Sequence, residues 1–188
     1  MADQVARIAV VQGAPSADVQ TLFWSLAERW RPTVRLAGVL AEDHGLPGRA
    51  CSAGYLCSLS DGARYPIFQD LGRDSQTCHL AGDGASLAAA AVRRDVDAGC
   101  DLVMLSKFGK LEAEGGGLRD AFAAAIERGV PILTSVSKVF LPKWESFAAP
   151  LFKPVALDVG EIEAWRQTVR PRAGLLRPAS AARPANIP

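Results

Sequence analysis

The sequence predicts a doubly wound α/β domain: a three-layer, mostly parallel sheet with an inserted β-hairpin. Three observations point there. Runs of strand length, above all Leu102–Ser106, are apolar on both faces, as strands buried inside a parallel sheet are. Amphipathic stretches with helical spacing separate these runs, and such alternation builds a parallel sheet with helices on its faces. Between the first and second helical stretches of the pattern, two short β-prone runs flank Ser60-Asp61-Gly62, the composition of a hairpin turn.

Taken in order, Val5–Val11 is apolar except at Arg7 and reads as the first, central strand. Ser16–Arg31 follows as a helix, with Val19, Leu22, Phe23, Leu26, Ala27 and Trp30 on one face, Ser16 as N-cap and Pro32 as stop. Val34–Leu40 is the second strand. Breakers His44, Gly45, Pro47 and Gly48 make Ala41–Gly54 a loop, with His44 exposed. Tyr55–Ser58 and Arg64–Gln69 form the hairpin, and residues 70–82 are irregular. Asp83 caps an alanine-rich helix over Ala85–Ala98 before the Leu102 strand. Leu118–Arg128 is a helix closed by Gly129 at its C′ position. Pro131–Val136 is the next strand, Trp144–Phe147 a short helical turn, Val155–Leu157 an edge strand and Glu161–Val169 the last helix. Residues 1–170 are expected to form one domain, with the hairpin insertion at about 54–70. The Pro-, Ala- and Arg-rich residues 171–188 are expected to be a disordered tail.

Composition narrows the function classes. Hydrophobic residues make up 49% of the 188, enough for a sizeable core. A formal net charge of +1 argues against nucleic acid as a partner. No apolar run reaches membrane-spanning length, and the first residues lack the basic-then-apolar pattern of a secretory signal. The expectation is a cytoplasmic protein. Cys51, Cys57, Cys78 and Cys100 show no C-x-x-C pair and are expected to be free thiols, Cys100 in the core. Cys51, Cys57, Cys78 and His79 lie in the irregular half, but their spacing matches no standard zinc pattern, so no metal ligand is assigned. Adjacent Cys78 and His79 cannot easily face one substrate, and nothing like G-x-S-x-G occurs, so no catalytic residue is assigned either.

The most informative segment follows the Leu102 strand. Two lysines, two glutamates and the triplet Gly115–Gly117 lie between that strand and the next helix, and in open α/β sheets ligands bind beyond the carboxyl ends of the strands. Ser106-Lys-Phe-Gly-Lys-Leu-Glu-Ala113 resembles the Asp-Glu-Ile-Gly-Lys-Met-Glu-Leu signature of small P-loop nucleoside-triphosphatases. There the Asp holds magnesium and the Glu activates water; here Ser106 and Lys107 stand at those positions, while Gly109, Lys110 and Glu112 match. The chain also resembles a bacterial domain-of-unknown-function family regarded as a degenerate relative of those enzymes. It carries that family's Phe108-Gly-Lys-Leu-Glu-Ala-Glu-Gly115, its Gly-Val-Pro-Ile-Leu-Thr134 and its Asp-Leu-Gly72 leading to Cys78, over roughly Val5 to Leu157. The resemblance implies a P-loop NTPase-like fold with degenerate Walker A and B motifs. Family members are sometimes labelled as linked to molybdenum uptake or cofactor genes, which makes molybdate one anion to consider.

The loop after the first strand bears on this reading. A working P-loop, G-x-x-x-x-G-K-[ST], cradles phosphates with backbone N–H groups, neutralises them with Lys and holds magnesium with Ser or Thr. Gly13 matches the first glycine, but Asp18, Val19 and Gln20 fall where Gly, Lys and Ser/Thr belong. The helix N-terminus still offers unpaired donors to a small anion. The candidate ligand-binding residues are therefore Gly13, Ser16, Asp18, Thr21, Ser106, Lys107, Lys110 and Glu112. Lys107 is expected to bring its ammonium to the Ser16 helix, and Glu112 to orient Lys110 or a ligand hydroxyl. Ser135, Ser137, Lys138, Lys143 and Trp144 follow another strand and should line the same crevice, with Trp144 packed against Phe147 and Phe140. The expected function is binding of a small anion or nucleotide-like ligand; no intact motif names a cofactor. The alternatives are a nucleoside-triphosphate phosphohydrolase with atypical residues and a protein-interaction module with a vestigial pocket.

Overall fold

The computed structural model describes residues 6–45, 53–67 and 82–170. Cys51, Cys78, His79, the Asp70–Gly72 phrase and residues 171–188 lie outside them. The chain alternates β1 (Ile8–Gln12), α1 (Ser16–Trp30), β2 (Leu36–Asp43), β3 (Ala53–Ser58), β4 (Arg64–Pro66), α2 (Gly82–Ala98), β5 (Leu102–Leu105), α3 (Lys110–Ala113) and α4 (Arg119–Glu127). There follow β6 (Ile132–Val136), a 3-10 turn (Lys138–Phe140), α5 (Leu141–Ala148), β7 (Phe152–Val155) and α6 (Val159–Val169). The expected α/β architecture is present.

The seven strands form one sheet in the order β4-β3-β2-β5-β6-β1-β7. Pairing is parallel between β2 and β5, β5 and β6, β6 and β1, and β1 and β7, and antiparallel within β2-β3-β4. The inserted hairpin therefore extends the main sheet. β1 is not central as the apolar run suggested: it lies beside the edge strand β7, and β5 takes the middle position. A continuous apolar run reports burial on both faces, and β1 has that without being central, because α1 and α6 cover one face and the helices opposite cover the other.

Burial separates the two helical layers. On one face Val19, Phe23, Leu26, Ala27 and Trp30 of α1 pack with Ile162, Trp165 and Val169 of α6 against Ala9, Val11, Leu40 and Met104. On the other, Ala88, Val92 and Val96 of α2 and Ala121, Phe122 and Ala125 of α4 pack with Trp144 of α5 against Val10, Val39, Val103 and Leu105. Alternate residues of each strand thus serve opposite cores, as the two-residue side-chain period requires.

Local corrections are instructive. Pro15, not Ser16, occupies the N-cap of α1, and no side chain caps it; Ser16 already has the first helical position. Asp83 lies inside the first turn of α2 rather than before it. The His44 side chain is buried, at 5% exposure, not exposed. Cys57 is buried, and Cys100 is only half-buried. Trp144 is fully buried in a ring cluster, 5.2 Å from Phe108, 5.6 Å from Phe122 and 6.1 Å from Phe147 between centroids. Among the described residues, no helix is long and apolar enough to cross a membrane.

Candidate functional site

Chain connectivity concentrates strand ends at one place. From β1 the chain leaves through α1 on one face, and from β6 it passes over to β7 through α5 on the other. Such reversals open a crevice at the carboxyl ends of the strands. A cleft of about 570 Å³ lies there, bounded by Val11 of β1, Ala41–Asp43 of β2, the segment after β5, and Ser135 and Val136 of β6. The first turn of α1, the hairpin and the start of α2 complete its walls through Ser16, Leu56, Ile67 and Ala85.

The loop after β5 is more ordered than its charge and glycine content implied. Phe108 is fully buried and stacks on Phe147 with ring centroids 5.6 Å apart, while its backbone bridges to Val136. This anchors the loop between two lysines. A single turn, α3, follows, held by Glu112. The buried Glu112 carboxylate accepts the Gly109 N–H and the Leu118 N–H, each at 2.8 Å. It closes the loop on itself, and its partners are backbone amides, not Lys110. Lys110 instead faces Glu114 at 4.0 Å across exposed side chains. Gly117, at φ 58°, is required here, since a Cβ would overlap the Glu112 carboxylate.

The floor of the cleft is a hydrogen-bonded set of neutral groups. Buried Ser106 accepts the Ala41 N–H at 2.6 Å and donates its hydroxyl to Gln20 Oε1 at 3.1 Å. The Ser135 hydroxyl donates to the Ser106 carbonyl at 2.9 Å. β2, β5, β6 and α1 are thus tied together at one point. At the β1–α1 loop, Gly13 has φ 69°, and its N–H donates to the Val136 carbonyl at 3.3 Å. The Lys138 stem lies where a Gly13 side chain would stand, with Cε 2.7 Å from that position.

Of the candidate residues, Ser16, Thr21, Ser106, Lys107, Lys110 and Glu112 line the cleft; Gly13 and Asp18 do not. Ser16 and Asp18 are exposed on the uncapped first turn of α1, and the Thr21 hydroxyl donates back to the Ala17 carbonyl at 3.0 Å. Lys107 is exposed and has no ion pair among the described residues; its stem lies near Gly109. Sequence reasoning missed the hairpin wall, Leu56 and Ile67, and Ala85 of α2, which carry no motif. It named Gln20 only for its position, and Lys138 only as a crevice residue.

At the far end of β2, Glu42 binds Arg64 Nε at 3.0 Å and accepts the Cys57 thiol at 2.8 Å. Burial, reinforced by that carboxylate, pushes the Cys57 thiol up to about 11. Such a thiol is a packed donor, not a nucleophile. Among the described residues, no group of three or more His, Cys, Asp or Glu side chains can hold a metal ion.

Comparison with known proteins gives this geometry a family. The model of a family described as "Protein of unknown function (DUF2478)" matches residues 8–165. Over 172 residues the chain is 30% identical to "Molybdenum import ATP-binding protein ModC 2" of Bradyrhizobium diazoefficiens, covering 91% of this chain and 19% of that protein. The chain thus spans about a fifth of the relative's length. No solved structure matches. The match to the family model runs from β1 into α6 and takes in every strand of the sheet and the cleft at their ends: the chain belongs to the DUF2478 family.

Proposed function

We propose that the chain binds a small anion or nucleotide-like ligand in this cleft and has lost the machinery for hydrolysing nucleoside triphosphates. The observation that carries the reading is the Ser106–Gln20 hydrogen bond of 3.1 Å on the cleft floor. By the P-loop resemblance, these two residues stand where a hydrolase keeps its magnesium ligands. Magnesium takes hard oxygen ligands and is usually bound through one or two carboxylates. Here a hydroxyl and a carboxamide are bonded to each other, and the nearby Glu112 carboxylate is spent on backbone amides. These residues do not fit a magnesium ion.

Anion binding is supported by what surrounds that floor. The first turn of α1 has no capping side chain, so its N–H groups and positive dipole end are free for a ligand. Lys107, which has no ion pair among the described residues, lines the same cleft. The relative named for molybdenum import and ATP binding supports testing both molybdate and nucleotides.

The test is a thermal-shift series on the full chain with molybdate, sulfate, phosphate, ATP and GTP, with and without magnesium. A ligand that binds only the folded state at a hundred times its Kd stabilises it by about 2.7 kcal/mol, a readily visible rise in Tm. The expected result is a rise with at least one of these ligands that needs no magnesium. No shift with any of them overturns the reading in favour of an interaction module with a vestigial pocket.

A further inference from the structure

The cleft is much larger than an oxyanion requires, and its two ends differ in chemistry. One water takes about 30 Å³ of liquid volume, so a tetrahedral anion of four oxygens occupies roughly 120 Å³. The cleft holds about 570 Å³, within the roughly 300–1,000 Å³ typical of sites for drug-sized organic ligands. Along the sheet order it runs from β1, β6 and β5 to the β3–β4 hairpin. The first end carries Ser106, Ser135, Lys107 and the N-terminus of α1. The hairpin end is walled by Leu56, Ile67, Ala85 and Leu118.

Charge assigns an orientation. Two acids line the cleft where β2 pairs with the hairpin: Glu42 is neutralised by Arg64, while Asp43 accepts the Gly45 N–H at 2.8 Å and keeps its charge. Lys107 has no ion pair among the described residues. A ligand's anionic group is attracted to the Lys107 end and repelled by Asp43 at the other, where Leu56, Ile67, Ala85 and Leu118 offer apolar surface to the remainder. Burying that remainder contributes about 25 cal/mol per Å² of apolar area.

Resting on the reading proposed above, we infer that the ligand is an organic anion with a flat or apolar body, of mononucleotide size, and not a bare oxyanion. Its anionic group sits against Ser106 and Lys107, and its ring lies under the hairpin against Leu56, Ile67 and Ala85. The hairpin insertion is then the element that sets specificity.

The test is calorimetric titration of the full chain with AMP, GMP, ribose 5-phosphate, inorganic phosphate and molybdate. AMP or GMP is expected to bind at least tenfold tighter than ribose 5-phosphate, phosphate and molybdate. Ala85→Leu, which fills the apolar end, should bring the nucleotide down to the affinity of ribose 5-phosphate while leaving that of phosphate unchanged. Ile67→Ser should weaken the nucleotide selectively in the same way and supplies the comparison if Ala85→Leu does not fold. Phosphate or molybdate binding as tightly as the nucleotides overturns this inference and leaves anion binding standing. Binding of none of the five overturns this inference, and it overturns anion binding as well when the thermal-shift series with sulfate, ATP and GTP is also flat.

Discussion

Lys107 and Cys57 illustrate opposite fates of reactive side chains beside one cleft. Lys107 is exposed, lines the cleft and has no ion pair among the described residues. Lys107→Glu should therefore cost under about 0.5 kcal/mol of stability, the usual range for an exposed surface position. The same substitution sets a negative charge beside the anion's position and should abolish the ligand-induced rise in Tm. If the rise persists, Lys107 has no part in binding. Cys57 is buried and hydrogen-bonded to Glu42. Burial raises both Cys57 and the half-buried Cys100 thiol from the ordinary 9.0 to about 11. A folded value above the unfolded one means that the neutral thiols favour the folded state below pH 9.0. That contribution is lost as pH rises from there through about 11. Urea unfolding of the native chain should thus weaken across this alkaline interval more steeply than that of a Cys57→Ala, Cys100→Ala variant; equal slopes would contradict the assignment.

At the scale of elements, the segment between β5 and α4 is a built loop, pinned by Phe108 in the core and closed by Glu112. Glu112→Gln keeps the size but offers one acceptor where two N–H groups now converge, and turns an NH₂ toward the other. Hydrogen bonds to a charged group are each worth roughly 1.5–3 kcal/mol, so the variant should lose about 2 kcal/mol in chemical denaturation. It should also loosen the cleft wall, giving faster amide exchange from Gly109 to Leu118 than in the native chain. Unchanged exchange there would mean that the loop is held by Phe108 alone. Composition hid this order, because two lysines, two glutamates and three glycines read as solvated chain. Glu112 stands at N3 and accepts the N–H of the Gly109 N-cap, but glycine has no side chain to complete the paired cap that would mark such a turn in a sequence. The regular elements were far more legible. Helical spacing in α1 and the apolar runs of β5 and β6 specify their own structure, whereas strand order depends on partners distant in sequence. For that reason the runs were read correctly while β1 was misplaced at the centre. The hairpin wall was invisible as a site for a related cause: Leu56, Ile67 and Ala85 look like any core residues until the fold opens a cavity beside them.

For the whole molecule, connectivity decides where chemistry can occur, and the residues at that position decide which chemistry. Phosphoryl transfer relies on positioning and on neutralisation by Lys, magnesium and a water-orienting group. By the P-loop resemblance, Val19, Gln20 with Ser106, and Lys107 stand at those positions. Phosphate release from ATP or GTP with magnesium should stay at the background of a protein-free control. Magnesium-dependent turnover that disappears in Lys107→Glu or Lys110→Ala would instead establish the phosphohydrolase alternative.

The two outermost strands carry a last consequence. β4 is only three residues long and ends in Pro66, and β7 contains Pro154 beside the exposed Lys153. Proline has no N–H to donate, and an edge lysine resists burial under a second sheet. Neither margin offers an unbroken row of donors on which another molecule can add a strand. Both margins thereby resist edge-to-edge growth, and this guards against aggregation.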